Sequence, residues 1–195
     1  MQTNNTIMQP YLQQTPIIDW QHPEILALAA DLKCPSGAKF GTTRNSFEFV
    51  RDEIRHSGDF ALNPVTCRAS DVLREGTGFC FAKSHLLAAL LRANDIPAGF
   101  SYQRLLLDKA SAHFCLHGLN SVYLERYGWF RVDARGNKPG ITAEFIPPEE
   151  RLAYVPSADG ERDLPEVYAD PLPQVIELLQ SQCSYEGVTE NLPDV

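Results

Sequence analysis

The sequence lacks the features of a membrane-spanning or nucleic-acid-binding protein. No run approaches the roughly 18 apolar residues that a transmembrane helix needs, and no cluster of Lys and Arg occurs along the 195 residues. Seventeen basic residues stand against 25 acidic ones, which gives a formal charge of −8. Because phosphate binding depends largely on clustered basic side chains, we expect neither DNA, RNA nor a membrane as a partner.

Cysteine pairs at a metal-binding or redox spacing are also lacking. The five cysteines are odd in number and scattered, and no CxxC motif occurs. This usage favours reduced thiols over a disulfide framework. The first twenty residues show neither the basic nor the apolar segment of a secretory signal. We therefore expect a cytoplasmic protein.

The composition is that of an ordinary globular protein, with 44 % hydrophobic and 22 % charged residues. Its length predicts one folded domain that can bury a proper core. The polar, Gln- and Asn-rich start predicts a loose arm over residues 1–20, followed by the domain over 21–150. The proline- and acid-rich end predicts an extension over 151–195 that packs on the same domain.

Helical patterns precede strand patterns along the chain. Pro23 suits the first turn of a short helix, and Asn45 and Glu48 have the spacing of a capping box at the start of a longer one. Residues 81–93 form an Ala- and Leu-rich helix that Pro97 ends. A central helix followed by hairpin-connected strands predicts an α+β fold in which an antiparallel sheet packs on that helix. Strand patterns lie at 98–107, 113–124, 129–133 and 141–145. A last helix begins at Asp170.

One cysteine stands at the start of the central helix. Cys80 follows Gly76 and Gly78 and meets the unpaired N–H groups and the positive end of the helix dipole, which favour a thiolate. A thiolate nucleophile works with a base, and the base with an orienting group. His117 lies on one predicted strand and Asp133 ends the next, so a hairpin would bring the two side by side. In that arrangement Asp133 accepts from Nδ1 of His117, and Nε2 faces the thiolate.

Each of these residues also fits an ordinary structural role. Cys80 is compatible with packing in an apolar helix. His117 is compatible with a hydrogen-bonded sheet histidine, and Asp133 with a turn residue or a surface partner of Arg135. Lys83, one turn after Cys80, is expected to be an exposed charge, with support of a thiolate as the alternative.

The alternation of His113, Cys115 and His117 places three potential zinc ligands on one face of a strand. A second Cys or His pair at the usual spacing is lacking, so we expect no metal and no cofactor. Cys115 is also a candidate neighbour that traps an oxidised Cys80.

Three blocks of residues, within about 45–135, follow a known family pattern. They comprise Leu73, Gly78, Cys80, Leu90, Leu91, Arg92, Ala93, Ile96, Pro97 and Ala98, then His117, Val122, Tyr123, Leu124, Gly128, Trp129, Val132 and Asp133. These blocks resemble the transglutaminase-like superfamily, whose core shares the papain-like cysteine-enzyme architecture. The resemblance implies an α+β fold of that kind and a catalytic triad of Cys80, His117 and Asp133.

Two positions depart from the family pattern and leave the substrate open. Leu119 stands where an aromatic residue often follows the histidine, and Ala134-Arg135 stands where Pro-Thr often follows the aspartate. The family includes transglutaminases, proteases and amidases. We expect hydrolysis of an amide or peptide bond through a thioester, with a peptide, protein or small amide as substrate. Amine acyl transfer, or a non-catalytic binding module on the same scaffold, is the alternative.

Two further features bear on the expected site. The backbone N–H of Cys80 is a candidate hydrogen-bond donor to the oxyanion. The sequence does not identify a second donor. Residues 136–170 follow Asp133 directly, so we expect this segment to pass close to the triad and narrow the cleft.

Overall fold

The structure, a computed structural model, describes residues 7–108, 110 and 112–195. Within these residues the α-helices are α1 (Pro23–Asp31), α2 (Lys39–Glu53), α3 (Ser57–Phe60), α4 (Ala69–Glu75), α5 (Cys80–Arg92), α6 (Pro173–Ser181) and α7 (Tyr185–Glu190). The strands are β1 (Arg55–His56), β2 (Thr77–Gly78), β3 (Ala98–Asp108), β4 (His113–Leu124), β5 (Gly128–Val132), β6 (Glu144–Ile146), β7 (Glu149–Arg151) and β8 (Arg162–Asp163). The expected α+β class is confirmed. None of the described helices is long and apolar enough to cross a membrane.

The main sheet is antiparallel and has the strand order β5-β4-β3-β8. β4 and β3 are its inner strands, and β4 is buried along most of its length. β3 pairs with nearly all of β4, whereas β5 covers β4 only from Asn120 to Leu124. Before that point the N–H of Leu116 donates to the carbonyl of Pro193, at 2.7 Å. The C-terminal extension therefore continues the edge that β5 leaves open.

Helix α5 lies in the middle of the molecule, and its residues from Cys80 to Arg92 are all buried. β4 approaches it closely because position 118 is a glycine. A Cβ atom at Gly118 would lie 2.6 Å from Cδ1 of Phe81, closer than packed atoms approach. This close approach brings the neighbouring residues, His117 on β4 and Cys80 on α5, to the same place.

Arg92 ends α5 and is 1 % exposed. Its guanidinium donates to the carbonyls of Ala98, Gln13 and Ala169. One buried side chain therefore fastens the start of β3 and two segments distant in sequence to the end of the central helix.

The arm is not loose throughout its described part. Ile17 and Ile18 are buried in the core, and Ala69 donates its N–H to the carbonyl of Ile17. Asp19 accepts two hydrogen bonds from Ser70. The prediction from composition is therefore wrong at residues 17–19, because two adjacent isoleucines anchor an otherwise polar segment.

Two predicted element boundaries are also wrong. α2 begins at Lys39, and Asn45 lies inside it, where its side-chain amide donates to the carbonyl of Leu32 instead of capping a helix. The strand expected over 141–145 begins at Glu144, because Asn137 accepts from the N–H of Ala143 and holds the preceding residues in a loop.

Candidate active site

Cys80 is the first residue of α5 and lines a cavity of about 600 Å³. Phe79 is the N-cap residue, and its hydrocarbon side chain offers the helix N–H groups no acceptor. The first-turn N–H groups of a helix lack intrahelical partners, so they can donate hydrogen bonds to a group bound beside the thiol. Cys80 is 8 % exposed, which leaves its sulfur reachable only through the cavity.

The structure places His117 and Asp133 beside Cys80. Nε2 of His117 lies 2.8 Å from Oδ2 of Asp133, and the side chains are 5 % and 0 % exposed. His117 and Cys80 line the same cavity. All three residues predicted from the sequence are therefore brought together.

The predicted choice of ring nitrogen is wrong. Asp133 contacts Nε2 of His117, so Nδ1 is the nitrogen left for Cys80. The register explains this geometry: Asn120 opposes Val132, so one step further Asp133 opposes Leu119. Asp133 is then a diagonal neighbour of His117 and meets the tip of the imidazole ring.

Asp133 is held by two backbone donors besides His117. The N–H of Arg135 donates to Oδ1 and the N–H of Ala153 donates to Oδ2, both at 3.1 Å. Burial alone would raise the pKa of Asp133, but the charge of His117 and these hydrogen bonds outweigh it and lower the pKa. The carboxylate therefore stays ionised inside the protein.

His117 carries the positive charge that faces the buried Asp133 carboxylate. Burial alone would lower its pKa, but the negative charges of Asp133 and Cys80 outweigh burial and raise the pKa to about 10. At neutral pH the ring is then an imidazolium between the Asp133 carboxylate and the Cys80 side chain. A histidine cation next to a cysteine is the arrangement that cysteine nucleophiles use.

A second polar cluster lies across the cavity on α3. Arg135 donates to both carboxylate oxygens of Asp59, at 2.6 and 2.9 Å, and Lys138 adds an ion pair at 2.6 Å. Burial alone would raise the pKa of Asp59, but these two cations lower it. The departure from the family pattern at Arg135 thus ties the loop after Asp133 to α3.

The C-terminal extension closes the site from another side. The ring of Tyr154 meets that of His117 edge to face, with centroids 4.9 Å apart. The guanidinium of Arg135 lies 5.7 Å from the same tyrosine ring. The segment after Asp133 therefore runs beside the triad, and Tyr154 shields the imidazole from water.

Lys83 is buried, so the prediction of an exposed charge is wrong. Its ammonium donates to the carbonyls of Arg51 and Ile54, at the end of α2. Those carbonyls lack partners within the helix, which a buried amine can supply. Burial, together with the charge of Arg135, lowers the pKa of Lys83 to about 7.

Replacing Lys83 with methionine is expected to flatten the pH dependence of stability between pH 7 and 10. The pKa of Lys83 is about 7 in the folded protein and has its ordinary value of 10.5 in the unfolded chain. Across this range the unfolded state binds more protons, so the free energy of unfolding of the wild type rises with pH. Urea denaturation at pH 7, 8.5 and 10 measures the two slopes.

The exposed Lys33 provides the control for this measurement, since Lys33→Met should keep the wild-type slope. Equal slopes for Lys83→Met and wild type would contradict the shifted pKa of Lys83.

The side chains of His113, Cys115 and His117 lie in three different environments. His113 is exposed, Cys115 lines the cavity, and His117 is committed to Asp133. In the part of the chain that the structure describes, no group of three or more His, Cys, Asp or Glu side chains is placed to hold a metal ion. Metal analysis after purification without chelator remains the direct test.

Sequence reasoning missed His56, Asp59 and Tyr154 as parts of this site. β1 pairs in parallel with β2, so His56 lies opposite Gly78, two residues before Cys80. A two-residue strand has no periodicity, and nothing else in the sequence connects residue 56 with residue 80. Tyr154 lies in an irregular proline-rich segment, which likewise has no periodicity that would place it near Cys80.

Comparison with known proteins identifies a family and a fold. The family model described as the transglutaminase-like superfamily matches residues 27–134. A crystal structure of a candidate cysteine protease from Cytophaga hutchinsonii has a TM-score of 0.51 and 20 % identity, over 66 % of this chain and 42 % of that chain. The periplasmic domain of TgpA from Pseudomonas aeruginosa has a TM-score of 0.47 and 19 % identity, over 64 % and 45 %. This chain thus spans less than half the length of either structure, and no curated protein matches it.

Proposed function

Because the chain belongs to the transglutaminase-like superfamily, we propose that it is a cysteine-dependent enzyme that hydrolyses an amide or peptide-type bond through a thioester. The observation that carries the proposal is the buried hydrogen bond between His117 and Asp133 beside a cysteine at a helix N-terminus. A purely structural histidine has no need of a buried carboxylate and a thiol together.

The reaction follows from the charges of the three groups. The Cys80 thiolate attacks the carbonyl carbon and forms a C–S bond, and the carbonyl oxygen becomes an oxyanion. His117 then gives its proton to the departing nitrogen, the C–N bond breaks and a thioester remains on Cys80. Neutral His117 next takes a proton from water, which attacks the thioester and releases the acid and the thiolate. Asp133 keeps the ring oriented throughout.

Hydrolysis is preferred over amine transfer on general grounds. Water is always available, whereas transamidation requires a site that excludes water and admits an amine. The cavity of about 600 Å³ is of the size that holds a side chain or a small amide. A peptide, protein or small amide is therefore the proposed substrate, and a cytoplasmic location stays a prediction.

A screen of peptides and small amides tests the proposal. Wild type and Cys80→Ala are compared for amine release, with and without an added acceptor amine. We expect release by the wild type without the acceptor, and only background from Cys80→Ala. The exposed Cys183 provides the matched control, since Cys183→Ala should behave like the wild type. Release that requires the acceptor would indicate a transglutaminase, and a thiol inert towards every acyl donor would indicate a binding module.

The pH dependence of amide turnover provides a separate prediction. We expect turnover to fall as pH rises through about 10, because His117 then loses the proton that it passes to the leaving nitrogen. Alkylation of Cys80 by iodoacetamide needs only the thiolate and should not fall over the same range. A basic limb near the ordinary histidine value of 6.5, with alkylation unchanged, would contradict a protonated resting His117.

A further inference from the structure

The proposed reaction creates an oxyanion, and one donor to it is already identified. The backbone N–H of Cys80 lies at the start of α5, where it has no intrahelical acceptor. Acyl-transfer sites commonly aim a second donor at the same oxygen, and removing one donor costs roughly 100- to 1,000-fold in rate. The second donor must line the cavity next to Cys80 and be free of other partners.

Three nitrogen-bearing side chains line the cavity with Cys80: His56, Arg135 and His117. Arg135 is committed to Asp59 through two hydrogen bonds, and His117 to Asp133. Among these nitrogen donors, His56 is therefore the candidate that remains.

The position of His56 is set by the chain next to Cys80. The parallel pairing of β1 and β2 places His56 opposite Gly78. Its ring then meets the ring of Phe79, the residue directly before Cys80, edge to face with centroids 5.5 Å apart. These contacts place the imidazole beside the start of α5.

The hydrogen bonding of His56 leaves one nitrogen for a ligand. Nδ1 is enclosed and has no hydrogen-bond partner among the described residues. It lies 3.8 Å from Oδ2 of Asp59, beyond hydrogen-bond distance. The side chain is 11 % exposed, so Nε2 is the nitrogen that a group in the cavity can reach. Burial and the charge of Arg135 lower the pKa of His56 to about 3, which keeps the ring neutral.

We propose that His56 is the second oxyanion donor, through an N–H from Nε2 to the oxygen of the tetrahedral intermediate. This inference rests on the function proposed above. The hydrogen bond forms when the carbonyl oxygen gains charge, and no proton leaves His56. A neutral, buried donor stabilises the developing charge with little reorganisation.

Two reactions of the same thiol separate this role from a structural one. p-Nitrophenyl acetate acetylates Cys80: the ester C–O bond breaks, a C–S bond forms and p-nitrophenolate leaves, by way of an oxyanion. Iodoacetamide alkylates Cys80: the C–I bond breaks, a C–S bond forms and iodide leaves, without an oxyanion. The variants are His56→Phe, which keeps the shape of the ring, His56→Ala, and His56→Asn, which keeps an N–H donor. Cys80→Ala measures the background.

We expect His56→Phe and His56→Ala to lower the acetylation rate by about 100-fold, while alkylation stays within about threefold of wild type. His56→Asn should recover part of the acetylation rate. Near-UV circular dichroism shows whether each variant keeps its fold. Acetylation that stays at the wild-type rate, or falls together with alkylation, would overturn the role of His56. A wild type that is not acetylated at Cys80 would overturn the proposed function as well.

Discussion

Replacing Asp133 with asparagine is expected to lower amide turnover by roughly 1,000- to 10,000-fold. The carboxylate supplies the negative charge that keeps the pKa of His117 at about 10 against the effect of burial. A neutral amide removes that charge, so burial lowers the pKa of His117 and the ring no longer supplies a positive charge beside Cys80. An amide N–H directed at Nε2 also favours the wrong tautomer of the ring.

The measurement combines turnover with the rate of Cys80 alkylation at pH 6.5, and both should fall in Asp133→Asn. Near-UV circular dichroism and thermal melting show whether the variant keeps its fold. Glu149 is an exposed carboxylate on β7, and Glu149→Gln is the control that should leave both rates unchanged. A folded Asp133→Asn protein with turnover within tenfold of wild type would contradict the orienting role.

Replacing Arg92 with methionine is expected to destabilise the fold by about 3–5 kcal/mol, because buried carbonyls lose their partners. Arg92 is 1 % exposed and donates to the carbonyls of Gln13, Ala98 and Ala169. Methionine fills most of the volume but supplies no donor. For a chain of 195 residues this corresponds to a melting temperature lower by roughly 10 °C.

Arg74 provides the control for this prediction. It lies on the surface with a side chain 57 % exposed, paired with Asp71 and Glu75. Exposed ion pairs contribute little to the free energy of unfolding, so Arg74→Met should melt within about 2 °C of wild type. Equal melting temperatures for the two variants would show that the contacts of Arg92 are not important for stability.

The central helix, the strands after it and the three candidate catalytic residues were predictable from the sequence. Each depends on a local pattern: an apolar helix ended by Pro97, alternating strands, and a thiol at a helix start. The register of β4 and β5 brings His117 close to Asp133 once the hairpin is assumed. The choice between Nδ1 and Nε2 was not predictable, because it depends on a diagonal offset within that register.

The misjudged residues have partners from distant parts of the chain. Lys83 is buried because the end of α2 presents the carbonyls of Arg51 and Ile54 to it, and no sequence pattern records that packing. Asn45 has a capping spacing, but the helix starts six residues earlier, at Lys39. His56 enters the site through a two-residue strand that is too short to predict.

The ion pair of Asp59 with Arg135 has a further consequence, for the order in which the molecule folds. It joins residues 76 positions apart, and Arg92 and Ala169 are 77 apart. Contacts between such distant residues form slowly, because the intervening chain must lose its entropy before they are made. During folding, helix α5 can therefore form before the charged partners of Cys80 are in place. The cavity that Cys80 lines is therefore complete only when the last segments have closed around it.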